Sequence, residues 1–173
     1  MTDPHALTQA FCEAFRCHPA GIAVITAAGA HGPVALTVSS LISVSATPPV
    51  VAFSLSARSS SAAALLAADT MVVHFLRYCD QSLAQLCATP GAQRFGDAEP
   101  WERLPTGEPR YTRIATWFRA RVAGTLEQED ATLVTARLLD GTACPPAGTP
   151  EAETLVYLDR RWHRLGQGAG TAA

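Results

Sequence analysis

Hydroxyl groups are concentrated in one short segment of the chain. From Thr37 to Ser45 the sequence reads TVSSLISVS, in which more than half of the residues carry a hydroxyl. A strand this rich in serine buries poorly, and two interpretations follow. It is either an edge strand whose hydroxyls face water, or a strand along which a polar ligand hydrogen-bonds to side chains and backbone N–H groups.

A second candidate segment, ARSSS at 57–61, leads directly into an Ala/Leu-rich stretch that predicts a short helix over 62–68. Helix N-terminal N–H groups, hydroxyls and an arginine together suit a phosphate. The same serines also suit N-capping of the helix, and the two roles are compatible. A third segment, TPGAQRF at 89–95, presents Arg94 on a loop, where an exposed, solvated charge is the simplest interpretation.

Composition excludes several classes of protein. The chain has 173 residues, of which 48% are hydrophobic, and a formal net charge of −2. These values predict one folded domain rather than a disordered chain, and they argue against a partner with a nucleic-acid backbone, which favours a basic excess. All 13 basic residues are arginine. An anion site must therefore use arginine, hydroxyls or backbone N–H groups.

Targeting and cysteine patterns predict a cytoplasmic protein without a membrane partner. The N-terminal residues lack the basic start and apolar run of a signal peptide, and no apolar run approaches the roughly 20 residues of a spanning helix. The five cysteines are an odd number without a CxxC pair, which argues against both a disulfide scaffold and a zinc site. We expect reduced thiols and no metal.

Periodicity predicts the elements that must position these segments. The fold class expected is mainly β, a barrel with short peripheral helices, because strands outnumber helices and do not alternate with them. The absence of GxGxxG also disfavours a dinucleotide-binding parallel sheet. Helices are predicted over 5–17, 62–68 and 80–87, with Asp80 as an N-cap. Strands are predicted over 21–26, 34–44, 50–55, 70–76, 114–126, 132–139, 154–158 and 162–165. Loops are predicted over 89–111 and 144–153.

Six segments, taken in order, resemble the flavin reductase-like, FMN-binding split-barrel family. They are HPAGIAVIT (18–26), TVSSLISVSATPPVVAFSL (37–55), RSSSAAALLA (58–67), VVHFL (72–76), PGAQRF (90–95) and TLVYLDRRWHRL (154–165). The resemblance spans nearly the whole chain. It implies a six-stranded Greek-key split β-barrel over residues 1–166, a disordered tail over 167–173, and a flavin, FMN or FAD, at the interface of a homodimer.

The resemblance also implies which residues bind the cofactor. Thr37, Val38, Ser39 and Ser40 would line the isoalloxazine ring and ribityl chain, with Ser43 further along the same segment, and Phe53, Ser54 and Leu55 would pass along the ring. Arg58, Ser59, Ser60 and Ser61 would hold the phosphate. His74, Phe75, Leu76, Arg94 and Phe95 would complete the pocket. No catalytic side chain is expected, because hydride passes from nicotinamide to flavin and the cofactor carries the reaction.

Three positions depart from the family pattern. Ala131 stands where many members have a histidine that helps to hold the nicotinamide, and Leu158 stands where the closing hairpin often has another. His74 replaces a frequent asparagine. It would either take over the hydrogen bond of that amide to the flavin or be satisfied by a backbone carbonyl. The flavin contacts are therefore retained better than the nicotinamide contacts.

The activity implied is that of an NAD(P)H:flavin oxidoreductase that supplies reduced FMN or FAD to a partner monooxygenase, with NADH or NADPH as co-substrate. Two alternatives remain open because of Ala131 and Leu158. One is a flavin-binding protein without efficient nicotinamide-dependent turnover. The other is a flavoenzyme of different chemistry on the same fold.

Overall fold

Strands dominate the structure, as predicted. The computed structural model describes residues 3–97, 99–143 and 153–165; the predicted tail and nearly all of the predicted 144–153 loop lie outside these ranges. The helices are α1 (Pro4–Arg16), α2 (Ala62–Leu66) and α3 (Gln81–Ala88), and no helix within the described ranges is long and apolar enough to cross a bilayer. The strands are β1 (Ala20–Gly21), β2 (Ala23–Gly29), β3 (Gly32–Val38), β4 (Ile42–Ala46), β5 (Pro49–Ser56), β6 (Thr70–Phe75), β7 (Trp101–Arg103), β8 (Pro109–Tyr111), β9 (Trp117–Gln128), β10 (Ala131–Thr142), β11 (Thr154–Leu158) and β12 (Arg161–Leu165).

Seven strands form the main sheet, in the antiparallel order β3-β2-β6-β9-β10-β5-β4. The strand predicted over 34–44 is divided, since β3 ends at Val38 and β4 begins at Ile42. Only three residues, 39–41, carry the chain from one edge of the sheet to the other. Four residue steps reach at most about 14 Å, so the sheet must curl until its two edges lie close together.

The six-stranded barrel stays a prediction. The main sheet has seven strands, and within the described residues no hydrogen-bonded ladder joins β3 to β4. The extra strand comes from the division at 39–41, where the chain passes from pairing with β2 to pairing with β5. The mainly β class is confirmed.

The curled sheet encloses the larger of two apolar clusters. Strand β5 shows the alternation that builds it: Val51, Phe53 and Leu55 point inward and are buried, whereas Ser54 and Ser56 point outward and are exposed. Inward residues of β2, β3, β6, β9 and β10 join the same cluster, and Leu65 of α2 covers one end. Alternation along the strands thus places one face in the core and leaves the other available for contacts.

A second apolar cluster lies outside the main sheet, under α3 and the β11–β12 hairpin. The predicted loop over 89–111 contributes to it, because this segment contains the paired strands β7 and β8 and ends at the fully buried Tyr111. The Tyr111 hydroxyl donates a hydrogen bond to the Arg94 carbonyl at 2.7 Å. The proline, glycine and charged residues of this segment favour a loop. The burial of Tyr111 depends on contacts with distant parts of the chain.

Asp80 occupies the predicted N-cap position of α3 but does not cap the helix with its side chain. Its carboxylate instead accepts a hydrogen bond from the Arg77 backbone N–H at 2.9 Å and closes the preceding 3-10 turn, Tyr78–Asp80. Burial raises the pKa of this carboxyl group.

Candidate functional site

A groove of about 770 Å³ runs between α1, the bend after β3, strand β5 and the β11–β12 hairpin. Its volume is in the range typical of small-molecule sites. One wall carries the hydroxyls of Ser39, Ser40 and Ser54. The facing wall carries the aromatic rings of Phe11, Phe15 and Tyr157, with arginines at the end where α1 meets the hairpin.

Ser40 fixes the hydroxyl wall. Its Oγ accepts a hydrogen bond from the Ser54 N–H at 2.9 Å and lies 3.3 Å from the Ser54 carbonyl, to which it donates. The pair continues the register of the β4–β5 ladder beyond Ile42, with a side chain in place of a backbone partner. The hydroxyl of Ser39 is exposed and has no hydrogen-bond partner among the described residues, so it is available to a ligand.

The opposite wall depends on the turn between β11 and β12. Asp159 and Arg160 both have left-handed backbone conformations, with φ of 49° and 59°. The Asp159 N–H donates to the Arg16 carbonyl at 2.8 Å and ties the hairpin to the end of α1. Phe11 and Phe15 pack against each other with ring centroids 4.6 Å apart, although both rings remain more than half exposed.

The predicted phosphate segment divides into two parts. Arg58 and Ser60 are exposed, Ser59 is half-buried, and none of the three lines the groove. Ser61 is buried and accepts a hydrogen bond from the Arg94 guanidinium. That guanidinium also donates to the carbonyls of Ala35 at 2.9 Å and of Thr89 at 3.1 Å, so Arg94 is not the solvated charge that its loop position suggests.

Four predicted residues point away from any ligand surface. The side chains of Val38, Phe53 and Leu55 lie in the larger core cluster, and their strands pair with β2 and β10 at these positions. His74 is fully buried, with Nδ1 3.1 Å from the Val24 carbonyl and Nε2 accepting from the Tyr111 N–H at 3.1 Å. Burial lowers the pKa of His74 to about 4, and the neutral ring is a structural bridge. The interpretation in which this ring bonds the flavin is therefore not supported by its geometry.

The remaining predicted residues are dispersed. Thr37 donates to the Ala84 carbonyl of α3 at 2.7 Å, and Leu76 belongs to the second cluster. Phe95 stacks on Tyr111 at 5.3 Å, and Phe75 packs edge-on against Phe118. Ser43 is exposed on β4. Of the 17 predicted residues, the groove therefore brings together Ser39, Ser40 and Ser54.

Sequence reasoning missed the second wall. Phe11, Phe15 and Arg16 lie on α1 and line the groove. The spacing of apolar residues over 5–17 predicts this helix but not its part in a binding site. The signal in the sequence is the apolar stripe of this helix, which is short and flanked by Cys12 and Arg16. In the structure, α1 has no buried residue, so this stripe faces the groove and not the core. Arg160 stands at a turn position that usually favours glycine.

The outer face of the sheet continues from the groove. Leu133 pairs with Ser54 on β5 and with Leu126 on β9, so these three side chains share one face. Leu126 and Leu133 are exposed, as is Ile42 on β4. This outer apolar patch, formed by Ile42, Leu126 and Leu133, adjoins the hydroxyl wall.

Comparison with known proteins places this arrangement in a family. The family model described as "Flavin reductase like domain" matches residues 15–166. The NADH:FMN oxidoreductase of Rhodococcus erythropolis is 38% identical over 157 residues, which cover 89% of this chain and 81% of that protein. The stachydrine N-demethylase reductase subunit of Rhizobium meliloti is 30% identical over 137 residues, covering 79% of this chain and 57% of that protein.

The fold agrees with the sequence match. The crystal structure of a flavin reductase domain protein from Arthrobacter sp. FB24 superposes with a TM-score of 0.85 at 27% identity, and the match covers 95% of this chain and 99% of that one. The two chains therefore share one fold over nearly their whole lengths. The chain belongs to the flavin reductase-like domain family.

Proposed function

We propose that this protein is an NAD(P)H:flavin oxidoreductase that reduces FMN or FAD with electrons from NADH or NADPH. The observation that carries the proposal is the groove, which sets a hydroxyl wall opposite an aromatic wall within a flavin reductase-like fold. The relative from Rhodococcus erythropolis, named an NADH:FMN oxidoreductase, supports the same activity. In such a reaction the bound flavin supplies the hydride acceptor, so the chain needs no nucleophile.

The donor set of the hydroxyl wall fits a flavin. The free hydroxyl of Ser39 and the outward side chain of Ser54 offer hydrogen bonds without an ionised group. Such donors orient a ring and stabilise negative charge on it without reorganisation. We propose that the ring lies along this wall, with Thr37, Ser40 and Ser43 fixing the segment and with His74, Phe75, Leu76 and Phe95 supporting the strands behind it.

The phosphate of the flavin is proposed to bind Arg58, Ser59 and Ser60. Arg58 and Ser60 have no side-chain partner within the described ranges, and Arg58 is four residues beyond Ser54. Four residues span at most about 14 Å, a distance comparable with a ribityl phosphate chain. Ser61 and Arg94 act indirectly in this proposal, because their mutual hydrogen bond anchors the turn to β3.

We propose that two copies associate through the outer apolar patch of Ile42, Leu126 and Leu133. The patch adjoins the groove, which is open on that side, and a second copy would complete its walls and remove the exposed leucines from water. The same curl of the sheet supports a split barrel over residues 1–166. Leu133→Arg should convert a dimer into a monomer by light scattering, whereas Arg137→Ala on the same strand should not. A monomeric wild-type protein at micromolar concentration would contradict the proposal.

Reduced flavin is proposed to leave the site for a separate monooxygenase. The relative from Rhizobium meliloti is named as a reductase subunit, and the flavin reductase-like domain matched here spans residues 15–166. We place the reaction in the cytoplasm, where reduced nicotinamide dinucleotides are supplied and where the exposed thiols of Cys12, Cys17 and Cys79 stay reduced.

The test follows NAD(P)H oxidation at 340 nm with FMN and with FAD. The wild-type protein should oxidise at least one dinucleotide well above the background of free flavin. Ser39→Phe should abolish flavin binding, because the ring fills the groove, whereas Ser39→Ala should weaken it about tenfold or less. Tight flavin binding without any oxidation would instead favour a flavin carrier, and the proposal would then fail.

A further inference from the structure

We infer that Arg16 and Arg160 form a second anion site, which binds the phosphate groups of the nicotinamide dinucleotide. This inference rests on the proposed reductase function and deepens it. Both arginines line the same groove as the serines of the hydroxyl wall. They stand at its far end, where the turn of the closing hairpin is hydrogen-bonded to the last residue of α1.

The two guanidinium groups at this end have no side-chain partner within the described ranges. Asp159 is the one carboxylate among the residues that line the groove, so two positive charges face one negative charge. The chain as a whole has a net charge of −2. The excess of positive charge at this end of the groove is therefore local and does not reflect a basic protein. A guanidinium fork matches phosphate oxygens and favours such ligands.

The backbone at Arg160 supports the same assignment. Its φ of 59° is a left-handed conformation that costs a residue with a Cβ some stability, and glycine is the usual residue at this position of a two-residue hairpin turn. Residues held in such conformations are concentrated at binding sites. Here the conformation presents the Arg160 side chain to the groove at the expense of local strain.

Two anion sites correspond to two anionic ligands. The flavin phosphate is assigned to Arg58 and its neighbouring serines, which do not line this groove. The arginine pair is therefore left for the second ligand, whose pyrophosphate would lie between the aromatic wall and the hairpin turn.

The experiment measures equilibrium binding rather than turnover. Isothermal titration calorimetry of NAD⁺ and NADP⁺ into the flavin-loaded protein should show that Arg16→Ala and Arg160→Ala each raise the Kd about five- to twentyfold. The Kd for flavin, measured by fluorescence quenching, should change less than twofold. Arg161→Ala is the matched control, because Arg161 is adjacent and exposed but does not line the groove.

The Arg160→Gly variant distinguishes a role of this side chain in dinucleotide binding from a role in the stability of the fold. Glycine relieves the left-handed backbone, so the Tm should rise while the dinucleotide Kd still increases. A merely structural arginine would change the Tm without changing the Kd. The inference is overturned if the double variant binds dinucleotide within twofold of the wild type, or if the flavin Kd rises instead. If those results accompany normal NAD(P)H oxidation, only this inference fails; a wild-type protein that neither binds nor oxidises a dinucleotide overturns the proposed function as well.

Discussion

Replacing His74 with phenylalanine should lower the stability of the protein at neutral pH and remove much of its sensitivity to acid. His74 is fully buried and bridges the Val24 carbonyl to the Tyr111 N–H. Phenylalanine fills a similar volume but leaves the Tyr111 N–H without a partner, whereas Val24 stays paired with residue 74 in the β2–β6 ladder. An unsatisfied buried group costs about 1–3 kcal/mol, so we expect a loss of about 1–3 kcal/mol in the free energy of unfolding at pH 7.5.

The pH dependence gives the sharper test. Burial lowers the pKa of His74 from 6.5 to about 4 in the folded protein, so its neutral form is favoured by folding. The stability linked to it is fully present above pH 6.5 and is lost as the pH falls towards 4. Between pH 7.5 and pH 5 this loss is about 2 kcal/mol, because proton uptake by the unfolded chain is worth about 1.4 kcal/mol for each pH unit.

Urea denaturation at the two pH values, at one protein concentration, measures this difference. The wild-type protein should lose about 2 kcal/mol more than the His74→Phe variant between pH 7.5 and pH 5. His31→Gln is the control, because His31 is exposed in the turn between β2 and β3 and should leave the pH dependence unchanged. Equal pH dependence in the wild type and in His74→Phe would refute the reasoning.

Three further predictions concern buried groups and backbone geometry. Glu108→Gln should lower the free energy of unfolding by about 3 kcal/mol, because it breaks the ion pair of a nearly fully buried carboxylate with Arg119; an unchanged urea midpoint would contradict this. Iodoacetamide at pH 8 should modify Cys12 and Cys17 in the native protein but not Cys87, which is buried and whose pKa is raised to about 11; mass spectrometry of the peptides decides. Gly141→Ala should lower the Tm strongly, since a Cβ there would lie 2.3 Å from the Trp117 carbonyl at a φ of 149°, whereas Gly21→Ala, with open space around it, should not.

The sequence predicts most of the elements because their signals are local. Strands β2, β5 and β6 follow apolar or alternating runs, and the helices α1 and α3 follow helical spacing. The division of the 34–44 strand was missed for a non-local reason. Strand β3 pairs with β2 whereas β4 pairs with β5, and Ser40 follows the β4–β5 register through its hydrogen bond to Ser54, a partner 14 residues away.

The site was predictable only in part. The hydroxyl wall follows from the serine-rich segment, whereas the aromatic wall requires knowing that α1 and the closing hairpin meet across it. The roles of His74 and Arg94 could not be read from composition, since each depends on distant backbone partners: Val24 and Tyr111 for the imidazole, Ala35 and Thr89 for the guanidinium. Whether such a polar group is buried depends on how segments distant in the sequence pack against it.

Anaerobic reduction of flavin by NADH or NADPH, followed as the loss of flavin absorbance near 450 nm, tests the central claim most directly. Oxygen is excluded, so the signal reports electron transfer to flavin alone. With catalytic amounts of the protein, flavin should bleach much faster than in its absence, and Ser39→Phe should return the rate to background. Bleaching at the background rate, with both flavins and both dinucleotides, would contradict the account.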